Sequence, residues 1–486
     1  MEAPRRAPGP IELEPDEFRR LGHELVDSVA DFLASLPERP VTTGESPRDI
    51  RAALGDASLP ENGTPPDELL REARELLFDH SLLTGHPRYF GYIIGAPAPI
   101  GALADLLAAA VNPNVGGFVL APMATEIEAQ TVRWIAELVG YPTDAGGLLV
   151  SGGNMANFVG FLAARASRAD WPVREQGAGG RALRVYSSTE THTWIQKAAD
   201  LFGLGTDAIR WIPTDPELRM DVAALREQLA VDRRAGDTPF LVVGAGGTVS
   251  TGAIDPLDEL AALCRDEGLW FHVDGAYGAF AAALPDAPAA LKALGQADSV
   301  ALDPHKWLYQ PAEAGCVLVR DREALLRTFS YRPAYYHLAS GEEEERTNYF
   351  ELGPQNSRGF KALKVWLSLR QVGRSGYVRM IGEDCALARE LHRAVVAEPE
   401  LEPGPAGLSI ATFRYVPDDR PRDDEELNEL NAALLSRLEA GGEAFLSNAV
   451  VGGRFYLRAC IVNFRTTVDD VRSLPALARR IGAELR

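Results

Sequence analysis

The sequence is poor in several features that would each announce a class of function. Its 486 residues hold four cysteines, Cys264, Cys316, Cys385 and Cys460, with no CxxC spacing. Reduced thiols are therefore expected rather than a disulfide framework. The eight histidines include no HxH or HxxxH pair, so no metal site is expected. Basic residues are in the minority, with 49 Lys plus Arg against 69 Asp plus Glu and a formal charge of −20. Nucleic-acid affinity comes from basic groups that displace phosphate counterions, so nucleic acid is not expected as a partner. Long apolar runs are also missing: Ile100 to Val111 is far short of a membrane span and contains Asp105. The first ten residues are rich in Pro and Arg with no apolar h-region. Together these absences predict a soluble, cytoplasmic, acidic protein without a membrane partner.

What the chain does have is an ordinary globular composition, 46% hydrophobic and 24% charged, with enough apolar material for a sizeable core. From Pro15, with Asp16 and Glu17 behind it, Phe18, Leu21, Leu25, Val29, Phe32, Leu33 and Leu36 recur at helical spacing until Pro37. A Pro-, Gly- and Ser-rich linker from Glu38 to Pro66 separates this helix from a second one over Asp67 to Asp79. The two stripes need another surface to cover them, either their own domain or a second subunit. From Tyr141 onward, short β-branched runs alternate with helical stretches: Gly147–Val150, Leu183–Ser187, Phe240–Gly244, Leu269–Val273 and Ser299–Leu302, with Cys316–Val319 read as an antiparallel edge. This alternation predicts an α/β domain with a mainly parallel sheet, whose ligands sit at the carboxyl ends of its strands. The acidic run Glu342 to Glu345 reads as a solvated loop. After a long helix through Val372, a compact α+β tail follows.

Two of those strand ends carry chemistry. Asp303-Pro304-His305-Lys306-Trp307 follows the strand Ser299–Leu302, and Asp274-Gly275-Ala276-Tyr277 follows Leu269–Val273. A lysine alone would be a solvated side chain, but a carboxylate at the end of a buried strand needs a cationic or hydrogen-bonding partner. A cofactor that is both an aldehyde and a pyridine answers both needs: Lys306 holds the aldehyde and Asp274 keeps the ring nitrogen protonated. That cofactor is pyridoxal 5′-phosphate. Ser151-Gly152-Gly153-Asn154, a strand-to-helix turn of small residues, offers amide donors for its phosphate. Gly244-Ala245-Gly246-Gly247 invites a dinucleotide reading, but no GxGxxG helix start follows it.

In this order, Ser-Gly-Gly-Asn-Met-Ala-Asn, the His192 region, His-Val-Asp-Gly-Ala-Tyr-Gly and Asp-Pro-His-Lys-Trp-Leu resemble the group II pyridoxal-phosphate decarboxylases, aromatic-L-amino-acid decarboxylase-like. The resemblance implies a fold type I large domain with a mainly parallel seven-stranded sheet, an N-terminal helical segment and a small α+β C-terminal domain. We divide the chain accordingly at residues 1–86, 87–372 and 373–486. It also implies a homodimer with active sites at the subunit interface, acting on an amino-acid substrate. By the same resemblance Lys306 attaches the cofactor, with His305 beside it; Asp274 pairs with the pyridine nitrogen, Ala276 packs near the ring and His192 stacks on it. Thr248 lies near the cofactor, and Gly152, Gly153 and Asn154 hold the phosphate. Tyr349 matches the tyrosine of a mobile loop that closes over the neighbouring site and returns the proton. Tyr92, Ile93, Asn114 and Gly116 line the side-chain pocket, where small and polar residues leave room for an aromatic or a larger conjugated amino acid. Asp303 stands where well-known relatives carry asparagine, and its negative charge would repel a phosphate unless it is turned away. The resemblance predicts decarboxylation of an L-amino acid to the amine and carbon dioxide. The alternative is decarboxylation coupled to oxidative deamination, which gives an aldehyde.

Overall fold

The computed structural model describes residue 9 and residues 11–331 and 346–486. The acidic run Glu342 to Glu345 lies outside the described residues. The large sheet is formed by β1 (Gly146–Val150), β2 (Leu183–Ser188), β3 (Ile209–Ile212), β4 (Thr238–Ala245), β5 (Trp270–Asp274), β6 (Ser299–Leu302) and β7 (Gly315–Val319). Their order is β1-β7-β6-β5-β4-β2-β3. All neighbours pair in parallel except β7, which is antiparallel to both β1 and β6. The strand read as an edge is therefore internal, and its five residues are all buried.

Alternation along the strands divides the core in two. Tyr186, Val242, Val273, Val300 and Leu318 face one layer, and Val185, Val243, Trp270, Ala301 and Val317 face the other. Because both faces are covered, the strands read as continuous apolar runs rather than as alternating ones.

The C-terminal unit has its own core around a four-stranded antiparallel sheet. It is built from β8 (Leu401–Gly407), β9 (Ile410–Tyr415), β10 (Ser447–Val451) and β11 (Arg454–Cys460), with helices Asp424–Gly441 and Val468–Glu484. The long helical run Ala362–Val396 leads into it and is broken at Gly373, where φ is 68° and ψ 168°.

At the other end of the chain, helix Pro15–Ser35 packs on helix Pro66–Asp79 through stacked Phe32 and Phe78, 4.2 Å apart. Phe18, Val26, Leu69 and Leu77 stay exposed, so each helix covers only part of the other's stripe. The linker between them is not wholly irregular. Pro47–Leu54 is helical, started by a capping box in which Ser46 and Asp49 satisfy each other's backbone amides.

Candidate active site

The site grows from neighbouring strand ends. β5 and β6 run in parallel with Asp274 opposite Ala301, so Asp274 and the turn after Leu302 emerge side by side. That turn is the short helix Pro304–Trp307, and it is pinned from behind. Trp307 Nε1 and Tyr309 Oη donate to Asp384 Oδ2 at 2.9 and 2.7 Å, and the Trp307 ring stacks on Tyr277 with centroids 5.0 Å apart. Burial raises the Asp384 carboxyl to about 7. Gly95 allows its own segment to cross directly over the turn, since a Cβ there would lie 2.2 Å from the Lys306 carbonyl oxygen.

Asp274 is held by donors on both oxygens: Trp194 Nε1 at 2.7 Å on Oδ2 and the Ala276 amide at 3.2 Å on Oδ1. Beneath it, Trp194 meets the His272 ring edge-on. Trp270 Nε1 donates to Ser299 Oγ, which leaves the Ser299 hydroxyl to donate to His272 Nδ1 at 2.7 Å. His272 Nε2 then carries the proton and donates to Asn157 Oδ1 at 2.7 Å. Burial lowers the His272 imidazole to about 4, so this support is neutral.

His192 sits on the turn after β2, where Ser187 Oγ donates to Thr191 Oγ1 at 2.6 Å. Its Nδ1 accepts from the Trp194 amide at 3.2 Å, which leaves Nε2 as the proton-bearing nitrogen. The surrounding protein lowers its pKa, and the charge of Lys306 adds to that against the opposing pull of Asp274. His305 is likewise lowered by burial, and its Nδ1 accepts from the Ala314 amide at 3.0 Å.

A cavity of about 340 Å³ joins these groups. It is lined by Gly152, Gly153, Asn154, His192, Thr248, Asp274, Ala276, His305 and Lys306, nine residues singled out from the sequence. Helix Gly153–Arg168 points its first amides into it, and backbone amides at a helix start bind anions. Thr248 is buried and its hydroxyl already accepts from the Ala253 amide, so it shapes the wall of the cavity. An aldehyde-reactive amine, a carboxylate held by neutral donors and an amide-lined anion site in one cavity fit the chemistry of pyridoxal phosphate. Trp194, which holds Asp274, and the supporting His272, Asn157 and Ser299 are given no role by the sequence, although His272 and Asn157 stand in two of the quoted motifs. Trp194 lies two residues after His192 but 80 before Asp274, so no local pattern ties it to that carboxylate.

The remaining five candidates, Tyr92, Ile93, Asn114, Gly116 and Tyr349, lie apart from the lining of this cavity. Tyr92 adopts φ 50° and is 56% exposed, and Ile93 is packed in the core. Asn114 Oδ1 accepts from the amides of Gly116 and Arg358, and the Gly116 carbonyl accepts from the Phe350 amide. This cluster also corrects the placement of Tyr349. The tyrosine is not on a mobile loop: it lies in the short helix Tyr349–Glu351, is 2% exposed and packs in the core of its own subunit. The Arg358 guanidinium lies 4.6 Å from its ring centroid, itself paired with the buried carboxylate of Glu128. A phenol enclosed in this way does not reach the cavity, and the proton-donor role expected of it is withdrawn.

Comparison with known proteins agrees with the chemistry of the cavity. The model of the pyridoxal-dependent decarboxylase conserved domain matches residues 47–404. An aromatic-L-amino-acid decarboxylase from Bacillus atrophaeus is 34% identical over 98% of this chain and 97% of its own. Among solved structures, an Oryza sativa TDC with PLP and tryptamine superposes with a TM-score of 0.91 at 28% identity, covering 98% of this chain and 99% of that one. A Rhodiola rosea 4-hydroxyphenylacetaldehyde synthase gives a TM-score of 0.87 at 26% identity, covering 98% and 99%. With a decarboxylase domain spanning most of its length and a lysine, a carboxylate and an amide-lined anion site converging where the cofactor chemistry needs them, the chain belongs to the pyridoxal-dependent decarboxylases.

Proposed function

We propose that this enzyme, a decarboxylase of L-amino acids, acts on those with aromatic side chains and releases the amine. The observation that carries the reading is the opening of Lys306 and Asp274 into one cavity from adjacent strand ends. When bound, pyridoxal phosphate supplies an electron sink for the carbanion left by carbon dioxide. The chain's own residues do the rest. Lys306 Nζ would hold the aldehyde of the cofactor. Asp274, fixed by Trp194 and the Ala276 amide, keeps a proton on the ring nitrogen. The amides at residues 152–154 hold the phosphate, and His192, with its proton on Nε2, covers the ring and positions the substrate. The aromatic preference is supported by the relatives named above. The polar segment at Asn114 and Gly116 keeps a larger conjugated substrate within the same reading.

Two copies complete the site. Leu103, Leu106, Leu107 and Val111 are exposed on helix Pro99–Val111, and Val119, Leu120 and Met123 are exposed shortly after it in the chain. A second subunit seated there would bring Asn114, Gly116 and the exposed Tyr92 towards its partner's cavity, whereas Ile93 stays in the core of its own chain. A dimeric mass in sedimentation supports this, and a monomer contradicts it. The three-part division of the chain belongs to the same reading and is supported by the break at Gly373 and the separate C-terminal core. Among the described residues no helix is long and apolar enough to cross a membrane. A cytoplasmic location is supported by the four cysteines, all free and buried.

The second reading, release of an aldehyde, is supported by the likeness to the Rhodiola rosea 4-hydroxyphenylacetaldehyde synthase. A panel of L-amino acids, with products identified by mass spectrometry and oxygen uptake followed, separates the two. Amine without oxygen uptake supports the first reading, and aldehyde with ammonia and hydrogen peroxide supports the second.

A further inference from the structure

Asp384 is a buried acid that the reaction outlined above does not use. It is 2% exposed and stands on the helical run Ala362–Val396, one face of which places Tyr377, Ile381 and Asp384 in the core. Trp307 Nε1 and Tyr309 Oη both donate to its Oδ2, and the Asn463 backbone amide also favours its charged form. The other titratable groups around it are Glu383 and Cys385 on its own helix and Cys460 on β11. Among the described residues no lysine, arginine or histidine pairs with it. Burial pushes the carboxyl up to about 7, against 3.8 for an exposed aspartate. The unfolded chain gives up this proton at lower pH than the folded chain, so at pH 8 the ionised acid is a net cost to the native state.

Buried groups shifted this far gather at functional sites, and what Asp384 holds is the segment that carries Lys306. The Lys306 amide donates to the Asp303 carbonyl at 2.9 Å, and the Tyr309 amide donates to the Lys306 carbonyl at 3.2 Å. Tyr309 reaches that position with φ 55°, in the left-handed region that favours glycine. A bulky residue stays there only where its surroundings hold it. Its hydroxyl is held by Asp384 at 2.7 Å, and the same oxygen takes the indole of Trp307, the residue next to Lys306. Tyr377, one face-mate of Asp384, donates to the Leu308 carbonyl between them at 3.3 Å. Hydrogen bonds to a charged acceptor are roughly twice as strong as neutral ones, so the charge tightens the hold on the turn while it burdens the fold.

We propose that Asp384 is a positioning residue for Lys306: its carboxylate, through Trp307 and Tyr309, fixes the turn so that Lys306 Nζ enters the cavity ready to attach the cofactor. The acid touches neither substrate nor cofactor, and it stands outside the lining of the cavity. The helix that leads into the C-terminal unit thereby takes part in cofactor attachment from behind the turn. An acid kept for Lys306 rather than for the fold has a definite signature: without its charge, attachment suffers and stability does not. The inference rests on the reading of Lys306 as the attachment residue.

The test compares wild type, Asp384→Asn, Tyr309→Phe and the double variant as full chains at about pH 8, where the acid is ionised. The amide keeps the size of the acid and removes its charge. Urea unfolding is measured beside the rate at which pyridoxal phosphate attaches to cofactor-free protein, read from the visible absorption of the lysine-bound cofactor and from borohydride labelling located by peptide mass. Asp384→Asn is expected to be no less stable than wild type but to attach the cofactor about tenfold more slowly, the size expected when hydrogen bonds lose a charged acceptor. Tyr309→Phe should also slow attachment, and the double variant should be no slower than the slower single one, because the acid acts through the tyrosine. Loss of stability or of folding in Asp384→Asn, an unchanged attachment rate, or additive effects of the two changes would overturn the assignment. Labelling of the wild type at an amine other than Lys306 would instead overturn the attachment reading and this inference with it.

Discussion

Trp194 Nε1 donates to Asp274 Oδ2 at 2.7 Å, so the carboxylate proposed to pair with the ring nitrogen is aimed by an indole 80 positions earlier in the chain. A hydrogen bond to a charged group contributes about 1.5–3 kcal/mol, part of which here goes into fixing the orientation of Asp274. Trp194→Phe should weaken pyridoxal phosphate binding about tenfold, equivalent to about 1.4 kcal/mol. Asp274→Asn should cost more, about two decades in kcat, because an amide cannot stabilise a positive ring nitrogen. Cofactor titration and steady-state rates check both. Unchanged binding in Trp194→Phe would show that the indole does not position the carboxylate.

In the proposed function, covalent attachment falls to Lys306. Borohydride should fix the cofactor to wild-type protein and leave Lys306→Ala unlabelled and inactive, as read by intact mass. Label retained in the variant would mean that another amine does the work.

Tyr349→Phe should leave the ratio of amine to aldehyde unchanged, because the ring is packed beneath Arg358 inside its own subunit. Product analysis decides the point. A shift towards aldehyde would return the tyrosine to the proton-donor role.

Acid sensitivity should trace in part to His272. Its pKa is depressed from 6.5 to about 4 by burial, so between those values the unfolded chain binds a proton that the folded chain refuses. The stability this group contributes is present above about pH 6.5 and is lost as pH falls through 4, at most about 3 kcal/mol. Urea unfolding at pH 7 and pH 4.5 should show a smaller loss for His272→Gln than for wild type. Equal losses would place the sensitivity elsewhere.

The parts of this architecture legible in the sequence are those written in local order. An apolar run ending in Asp274, another followed by Lys306, and a small-residue turn before a helix each announce themselves over a few residues. The relationships that orient them are non-local. Trp194 under Asp274 and Asp384 behind Trp307 join positions about 80 apart, and no pattern in the chain marks them. Tyr349 was misplaced for the same reason. Its neighbours are charged and aperiodic, yet Phe350 bonds to Gly116, and Arg358 reaches Glu128 from 230 positions away. β8 is not legible as a strand because two prolines and two glycines in seven residues read as a turn, and such residues are tolerated at the edge position it occupies. β7 was seen as a strand, but its insertion between β1 and β6 is a matter of topology that its own five residues do not encode.

The central claim is that the cavity joining Lys306 and Asp274 removes the α-carboxylate of an aromatic L-amino acid with pyridoxal phosphate bound. The most direct measurement is release of labelled carbon dioxide from carboxyl-labelled L-tryptophan, L-tyrosine and L-phenylalanine by the cofactor-loaded enzyme. The account predicts release from at least one of them, matched one to one by an organic product and abolished in Lys306→Ala. No release from any of the three by protein that has bound its cofactor would contradict it.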